Sequence, residues 1–199
     1  RRRTNRFARS LTSLVGSPGA RVASLAAPVP DLHVAVLGTL KARGVFTPLF
    51  PAFGPEPVHQ RLELGHVQVL VTTRALFDRK VVPVLDRLPE LEAVWFIGGG
   101  ADPDDARQHD LDALLDAAPE DHEIGPTAPD DLALLHFTSG TTGPPKGVMH
   151  VHEAVVVHRA TAEWVLDLQP GDVYWCTADP GWVTGTSYGI VAPLAAGVT

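Results

Sequence analysis

Residues 132–150, "LALLHFTSGTTGPPKGVMH", set a short apolar run against a loop of glycines, hydroxyls and prolines that carries one lysine. The run 132–138 reads as a buried strand, because four to eight continuous apolar residues bounded by turn signals suit a sheet covered on both faces. Downstream, residues 152–168 place Val157, Ala160, Thr161, Trp164, Val165 and Leu168 on one helical face, which predicts an amphipathic helix. The loop is therefore expected to join a strand to a helix. In α/β sheets ligands bind there, outside the carboxyl ends of the strands.

Working outward toward the start, the same alternation recurs. Residues 4–15 put Phe7, Leu11, Leu14 and Val15 on one face of a surface helix, which "GSPG" at 16–19 ends. After an apolar run at 21–26, "DLHVAVLGTLKARG" predicts a helix capped by Asp31 and closed by Gly44, in line with the usual cap preferences. The strand-like "VFTPLF" follows, then a helix within 56–64 ended by Gly65, the β-rich "VQVLVTT" at 67–73, a helical stretch at 75–87 interrupted by Pro83, and "AVWFIG" at 93–98. Strands separated by helices require crossover connections, so the expected fold class is α/β with a largely parallel sheet flanked by helices. The glycine-, proline- and aspartate-rich stretch 99–131 is expected to be a solvated connector with a short helix near 110–117. It would join a first lobe, 1–98, to the segment 132–199.

The chain has 199 residues, 45% of them hydrophobic, with a net charge of -7. That is enough for a sizeable core. Arg1, Arg2, Arg3, Arg6 and Arg9 crowd the beginning and acids gather between Asp102 and Asp131; an acidic chain without a basic stripe lacks the electrostatic footprint of a nucleic-acid binder. No apolar core of a leader follows the arginines and no run reaches membrane-spanning length. With Cys176 as the lone cysteine, a cytoplasmic setting is expected. The sequence starts with arginine and its only methionine is Met149, so an internal piece of a longer protein is expected.

The loop itself suits a polyphosphate. Gly140, Gly143 and Gly147 let the backbone turn with positive φ and bring its N–H groups close to a ligand. Thr138, Ser139, Thr141 and Thr142 add hydroxyls. Lys146 adds a full charge, in a half of the chain where the only other basic residue after Arg107 is Arg159. A concave set of such donors matches phosphate oxygens. A Walker A loop is excluded, since it needs lysine directly after glycine and before a hydroxyl, whereas Lys146 stands between Pro145 and Gly147.

"TSGTTGPPKG" at 138–147 resembles the phosphate-loop signature of the AMP-forming acyl-CoA synthetases, the adenylate-forming superfamily. "DVYWCTADPGWVTGTSYGIVAPLAAGVT" at 172–199 and "LGTLKARGVFTPLFPAFGPEPVHQRLE" at 37–63 are similar to the acetyl-CoA synthetases within it, and "ADPGWVTG" is the more discriminating part. The resemblance implies part of a large N-terminal adenylating domain. It implies two half-reactions: a carboxylate attacks the α-phosphate of ATP, supplied with Mg2+, giving acyl-adenylate and pyrophosphate, and the thiol of CoA then displaces AMP. By it, Thr138, Ser139, Gly140, Thr141, Thr142, Gly143 and Lys146 would grip the leaving pyrophosphate, and Trp182, Val183 and Thr184 would line the acyl and CoA end, with acetate as substrate and propionate as the nearest variant. Pro144 stands where many members carry lysine, and the position of Thr186 is commonly histidine in the longer acetyl-CoA synthetases, so Thr186 receives no role. The adenine, magnesium and C-terminal-domain residues would lie beyond Thr199, and the 199-residue chain alone is expected to be inactive.

Three other readings compete. "GTSYG" at 185–189 fits the G-x-S-x-G elbow of a serine hydrolase. "HVHE" at 150–153, with His136 and His158, offers histidines for a metal but no third ligand at a familiar spacing. A nucleotide-binding or scaffold module without activity is the third; Cys176, in the β-like "VYWCT", reads as a small hydrophobe.

Overall fold

The computed structural model describes residues 1–16, 18–138 and 143–199. Its strands are β1 (Arg21–Leu25), β2 (Val45–Leu49), β3 (Val69–Thr72), β4 (Ala93–Phe96), β5 (Gln108–Asp110), β6 (Leu132–Thr138) and β7 (Lys146–Val151). They form one sheet in the order β5-β4-β3-β1-β2-β6-β7. Each neighbouring pair is parallel except β6–β7. The helices are α1 (Arg2–Val15), α2 (Pro30–Lys41), α3 (Pro55–Leu64), α4 (Arg74–Lys80), α5 (Leu111–Ala117), α6 (Ala154–Val165), α7 (Val183–Thr186) and α8 (Ala192–Ala196), with a 3-10 turn at Val82–Arg87 that contains Pro83.

Alternate strand residues face opposite layers, as the period of two dictates. Val69, Val71, Ala93 and Trp95 pack with Phe7 and Leu11 of α1, Leu32 and Val36 of α2 and Leu111 and Leu115 of α5. Leu70, Val94 and Phe96 pack on the other face with Val58 and Leu62 of α3 and Phe77 of α4. This is the parallel α/β architecture expected from the alternation.

Local punctuation differs from expectation at several points. Helix α2 starts at Pro30 with Val29 at its cap; Asp31 lies in the first turn and binds Arg3. The left-handed residues after α2 and α3 are Arg43 (φ 57) and His66 (φ 50), next to the glycines expected there. Residues 99–131 are more than a solvated connector: β5 adds to the sheet edge beside β4, and Leu111 and Leu115 are buried under α1. Across that seam Arg3 bonds Asp112 at 3.0 Å, Arg6 bonds Asp116 and Glu120 at 3.0 Å each, and Arg9 donates to the Asp121 carbonyl at 2.9 Å. The two charge clusters of the sequence are each other's partners.

The second half departs further. The glycine–threonine loop leads from β6 into the antiparallel strand β7, not into a helix, and Thr138 and Lys146 are paired across the hairpin. In α6 the predicted apolar face stays open, with Val157 58%, Trp164 82% and Val165 76% exposed. The turn Ser187–Val191, α8 and the residues after it lie against the helix and bury Ala162 and Leu168, with the Tyr188 hydroxyl 2.9 Å from that of Thr161. Residues 172–177 form no strand; Tyr174 and Asp172 bond the Thr199 backbone (2.6 and 3.0 Å), and Cys176 is half-buried.

Candidate active site

The connections after β1 and β2 leave for opposite faces, α2 joining one core layer and α3 the other. A crevice at the carboxyl edge belongs where connections diverge in this way. Beside it, β2 carries Pro48, which has no N–H for a central ladder, and β2 pairs with β6 only through Phe46↔Leu134. The ladder does not continue toward the carboxyl edge, and two sequence segments arrive at that gap.

The first is the hairpin loop. From the register Phe46↔Leu134, four further residues along each parallel strand bring Phe50 and Thr138 to the same level of the edge. Thr138, Gly143 and Lys146 are exposed there, and Gly143 has φ +109, the left-handed region glycine supplies without strain. Gly147 lies in β7 instead, where a side chain would crowd Leu135. Lys146 takes part in no ion pair among the described residues, whereas Arg159 is engaged by Glu163 at 2.7 Å. Ser139, Gly140, Thr141 and Thr142 lie outside the described residues.

The second is "ADPGWVTG". Asp179 accepts from the backbone N–H of Gly181 at 2.7 Å, and its carbonyl accepts from Trp182 at 3.0 Å. A Cβ on Gly181 would lie 2.5 Å from the Phe50 backbone, and one on Gly185 would strike the Asp179 carbonyl. The two glycines therefore allow this turn to close on itself and on the end of β2. The buried Thr186 hydroxyl donates to the Pro180 carbonyl, a structural anchor that the sequence left without a role. Trp182 occupies the cap position of α7. With Val183 and Thr184 it stays exposed at 40% and 46% for the first two, while Gly185, Thr186 and Ser187 turn inward.

Sequence reasoning missed the residues beneath Trp182. Its ring centroid lies 5.4 Å from that of Phe50 and 6.1 Å from that of Phe53, and those two are 5.6 Å apart. Arg61, which is 5% exposed, sits with Cζ 4.2 Å from the Phe53 centroid. The similarity of 37–63 marked the segment, but an arginine on a short helix carries no pattern that announces burial.

Neither of two alternative centres is assembled among the described residues. Ser187 lies in a π-helical turn, Ser187–Val191, between α7 and α8, with its hydroxyl buried and unpartnered. A nucleophile elbow needs the serine exposed on a sharp strand-to-helix turn. The rings of His136, His150 and His158 follow one another, the first pair edge to face and the second tilted, with centroids 5.1 and 5.8 Å apart and Tyr188 5.9 Å beyond. Burial, then the neighbouring rings, pushes the His136 imidazole down to about 4 from 6.5, and His150 and His158 move the same way. Among the described residues no group of three His, Cys, Asp or Glu could hold a metal ion. Among the described residues no helix is long and apolar enough to cross a membrane. A polar cleft of about 440 Å³ near Arg9, Lys41, Arg43 and Asp121 adjoins the start of β2, away from the carboxyl edge.

A mostly parallel sheet flanked by helices is the fold of solved adenylate-forming enzymes. The AMP-binding enzyme family matches over residues 1–199, and the chain belongs to that family. Acetyl-coenzyme A synthetase of Bacillus subtilis (strain 168) is 45% identical over 85% of this chain and 29% of its own length. That of Escherichia coli (strain K12) is 34% identical over 98% of this chain and 32% of its own. A Brucella canis acyl-CoA synthetase structure superposes with TM-score 0.87 at 30% identity, covering 98% of this chain and 35% of that one. The anthranilate CoA ligase AuaEII, solved with anthranoyl-AMP, shares the fold with TM-score 0.91 at 20% identity, over 100% and 38% of the two chains. The chain thus spans about a third of the length of the curated relatives it matches.

Proposed function

We propose that this chain is part of an AMP-forming acetate–CoA ligase. The observation that carries the reading is the convergence at one sheet edge: the β2–β6 register levels Thr138 with Phe50, on whose backbone Gly181 rests. In this reading the segment that begins at Thr138 and the tryptophan turn serve one site at that edge. The similarity to acetyl-coenzyme A synthetases supports acetate as the acid.

In this reading a carboxylate oxygen of acetate bonds to the α-phosphorus of ATP, the bond to the bridging oxygen breaks, and pyrophosphate leaves with the electron pair. Negative charge gathers on phosphoryl oxygens, so positioned donors and a cation stabilise the step more than a base would. Lys146 and the hydroxyl and backbone donors of 138–143 hold the leaving pyrophosphate. Mg2+ enters with ATP as part of the substrate. The CoA thiol then attacks the acyl carbon and AMP departs, with Trp182, Val183 and Thr184 bordering the acyl and thiol end. Residues 1–98, 99–131 and 132–199 serve within one N-terminal adenylating domain, and the lone Cys176 suits a cytoplasmic setting.

The test is pyrophosphate–ATP exchange by the full-length protein with acetate, propionate, butyrate or no acid. Exchange fastest with acetate is the expected result, and Lys146→Ala should slow it by about 100- to 1,000-fold. Exchange with none of the acids would overturn the ligase reading, and exchange fastest with propionate would overturn acetate alone.

A further inference from the structure

Arg61 is a buried cation without a carboxylate. Its guanidinium donates to the Pro57 carbonyl at 2.9 Å, its Nε has no partner, and among the described residues it forms no salt bridge. Its other neighbour is the face of Phe53, 4.2 Å from Cζ. A desolvated guanidinium is held strongly by an aromatic face, because the ring quadrupole then competes with no water. Phe53 is in turn perpendicular to Phe50 (89°) and steeply inclined to Trp182 (70°), the edge-to-face arrangement that aromatic rings prefer. The series runs from α3, inside the molecule, to the exposed indole at the α7 cap.

We infer that Arg61 and Phe53 are positioning residues: the guanidinium clamps the Phe53 ring, and Phe53 with Phe50 fixes the Trp182 indole at the acyl end of the site. The consequence for acid binding rests on the ligase reading; the clamping itself does not. Two features favour a clamp over plain packing. An aliphatic side chain could fill the place beside Phe53 without the desolvation that burying a cation brings. Trp182 is also held by rings on one side only and remains 40% exposed, so its orientation depends on what fixes those rings.

The experiment labels the full-length protein with 5-fluorotryptophan and follows 19F NMR, the Trp182 resonance being the one absent from Trp182→Phe. In Arg61→Met this resonance is expected to shift or split while the other tryptophan resonances stay, and Arg61→Lys, which keeps the cation, should restore it. Phe53→Leu, which leaves α3 untouched, should displace the same resonance and serves if Arg61→Met does not fold. An unmoved Trp182 resonance in a folded Arg61→Met or Phe53→Leu variant would overturn the clamp, as would equal displacement of every tryptophan. In parallel, pyrophosphate exchange by Arg61→Met should show KM for acetate raised about tenfold with kcat within about twofold, the pattern of weakened binding that is felt equally in ground and transition state. If the unsubstituted protein gives no exchange, the ligase reading falls and the 19F result still decides the clamp.

Discussion

Gly185 shows how tightly single residues constrain the candidate site. Any side chain there would enter the Asp179 carbonyl, which is backbone and cannot swing aside. That carbonyl is held by Trp182 and the neighbouring turn by Thr186. Gly185→Ala should therefore cost about 1–3 kcal/mol, the usual range for overpacking, even though alanine is the better helix former. Urea unfolding would register this as a lower midpoint at unchanged slope; an unaltered midpoint would mean that the turn relaxes. "ADPGWVTG" stood out as a candidate site segment through its resemblance, and its exposed residues Trp182, Val183 and Thr184 lie at the start of α7. Thr186, Phe53 and Arg61 were not legible, because their importance lies in contacts between residues far apart in sequence.

At the scale of elements, the β6–β7 hairpin carries the loop and, with α6, the row of neighbouring histidines. His136 is held neutral in the fold, with its value lowered to about 4 from 6.5, so the unfolded chain binds the proton more readily. Stability from this group is complete above 6.5 and is lost as pH falls toward 4. His150 and His158 shift in the same direction and add to the trend. Between pH 7.5 and pH 5 the His136 contribution alone amounts to about 2 kcal/mol. Denaturant titrations at the two pH values should show that loss, and His136→Phe should flatten it. A pH dependence identical in the substituted chain would assign the effect elsewhere. The hairpin itself escaped sequence reasoning: "KGVMHV" has neither strict alternation nor a continuous apolar run, and tertiary pairing with β6 makes it a strand.

For the whole molecule, two surfaces stand out. One is closed: the arginines of α1 meet the acids of α5 and the residues that follow. The other is open. Trp164, Val165, Val173 and Trp175 are 82%, 76%, 86% and 85% exposed, large apolar side chains open to apolar partners. The 199-residue chain should accordingly enhance the fluorescence of 8-anilinonaphthalene-1-sulfonate at neutral pH. Combined Trp164→Ser and Trp175→Ser substitution should reduce that signal at least about twofold. Equal dye binding by the substituted chain would show that these side chains do not form the apolar surface.

Sequence by itself determined the α/β class, the parallel sheet, the positions of five of the seven strands or their apolar runs, and the two motifs that mark the family. These are local properties: a strand run, a helical period and a glycine–threonine loop are each written in a dozen neighbouring residues. Tertiary structure alone decided that the loop closes a hairpin, that α5 belongs to the core, that the α6 stripe stays uncovered, and that Arg61 reaches Trp182 through Phe53. Each of those depends on which distant surface arrives to bury or pair a group, and burial is a property of the pair of surfaces, not of either stretch of chain.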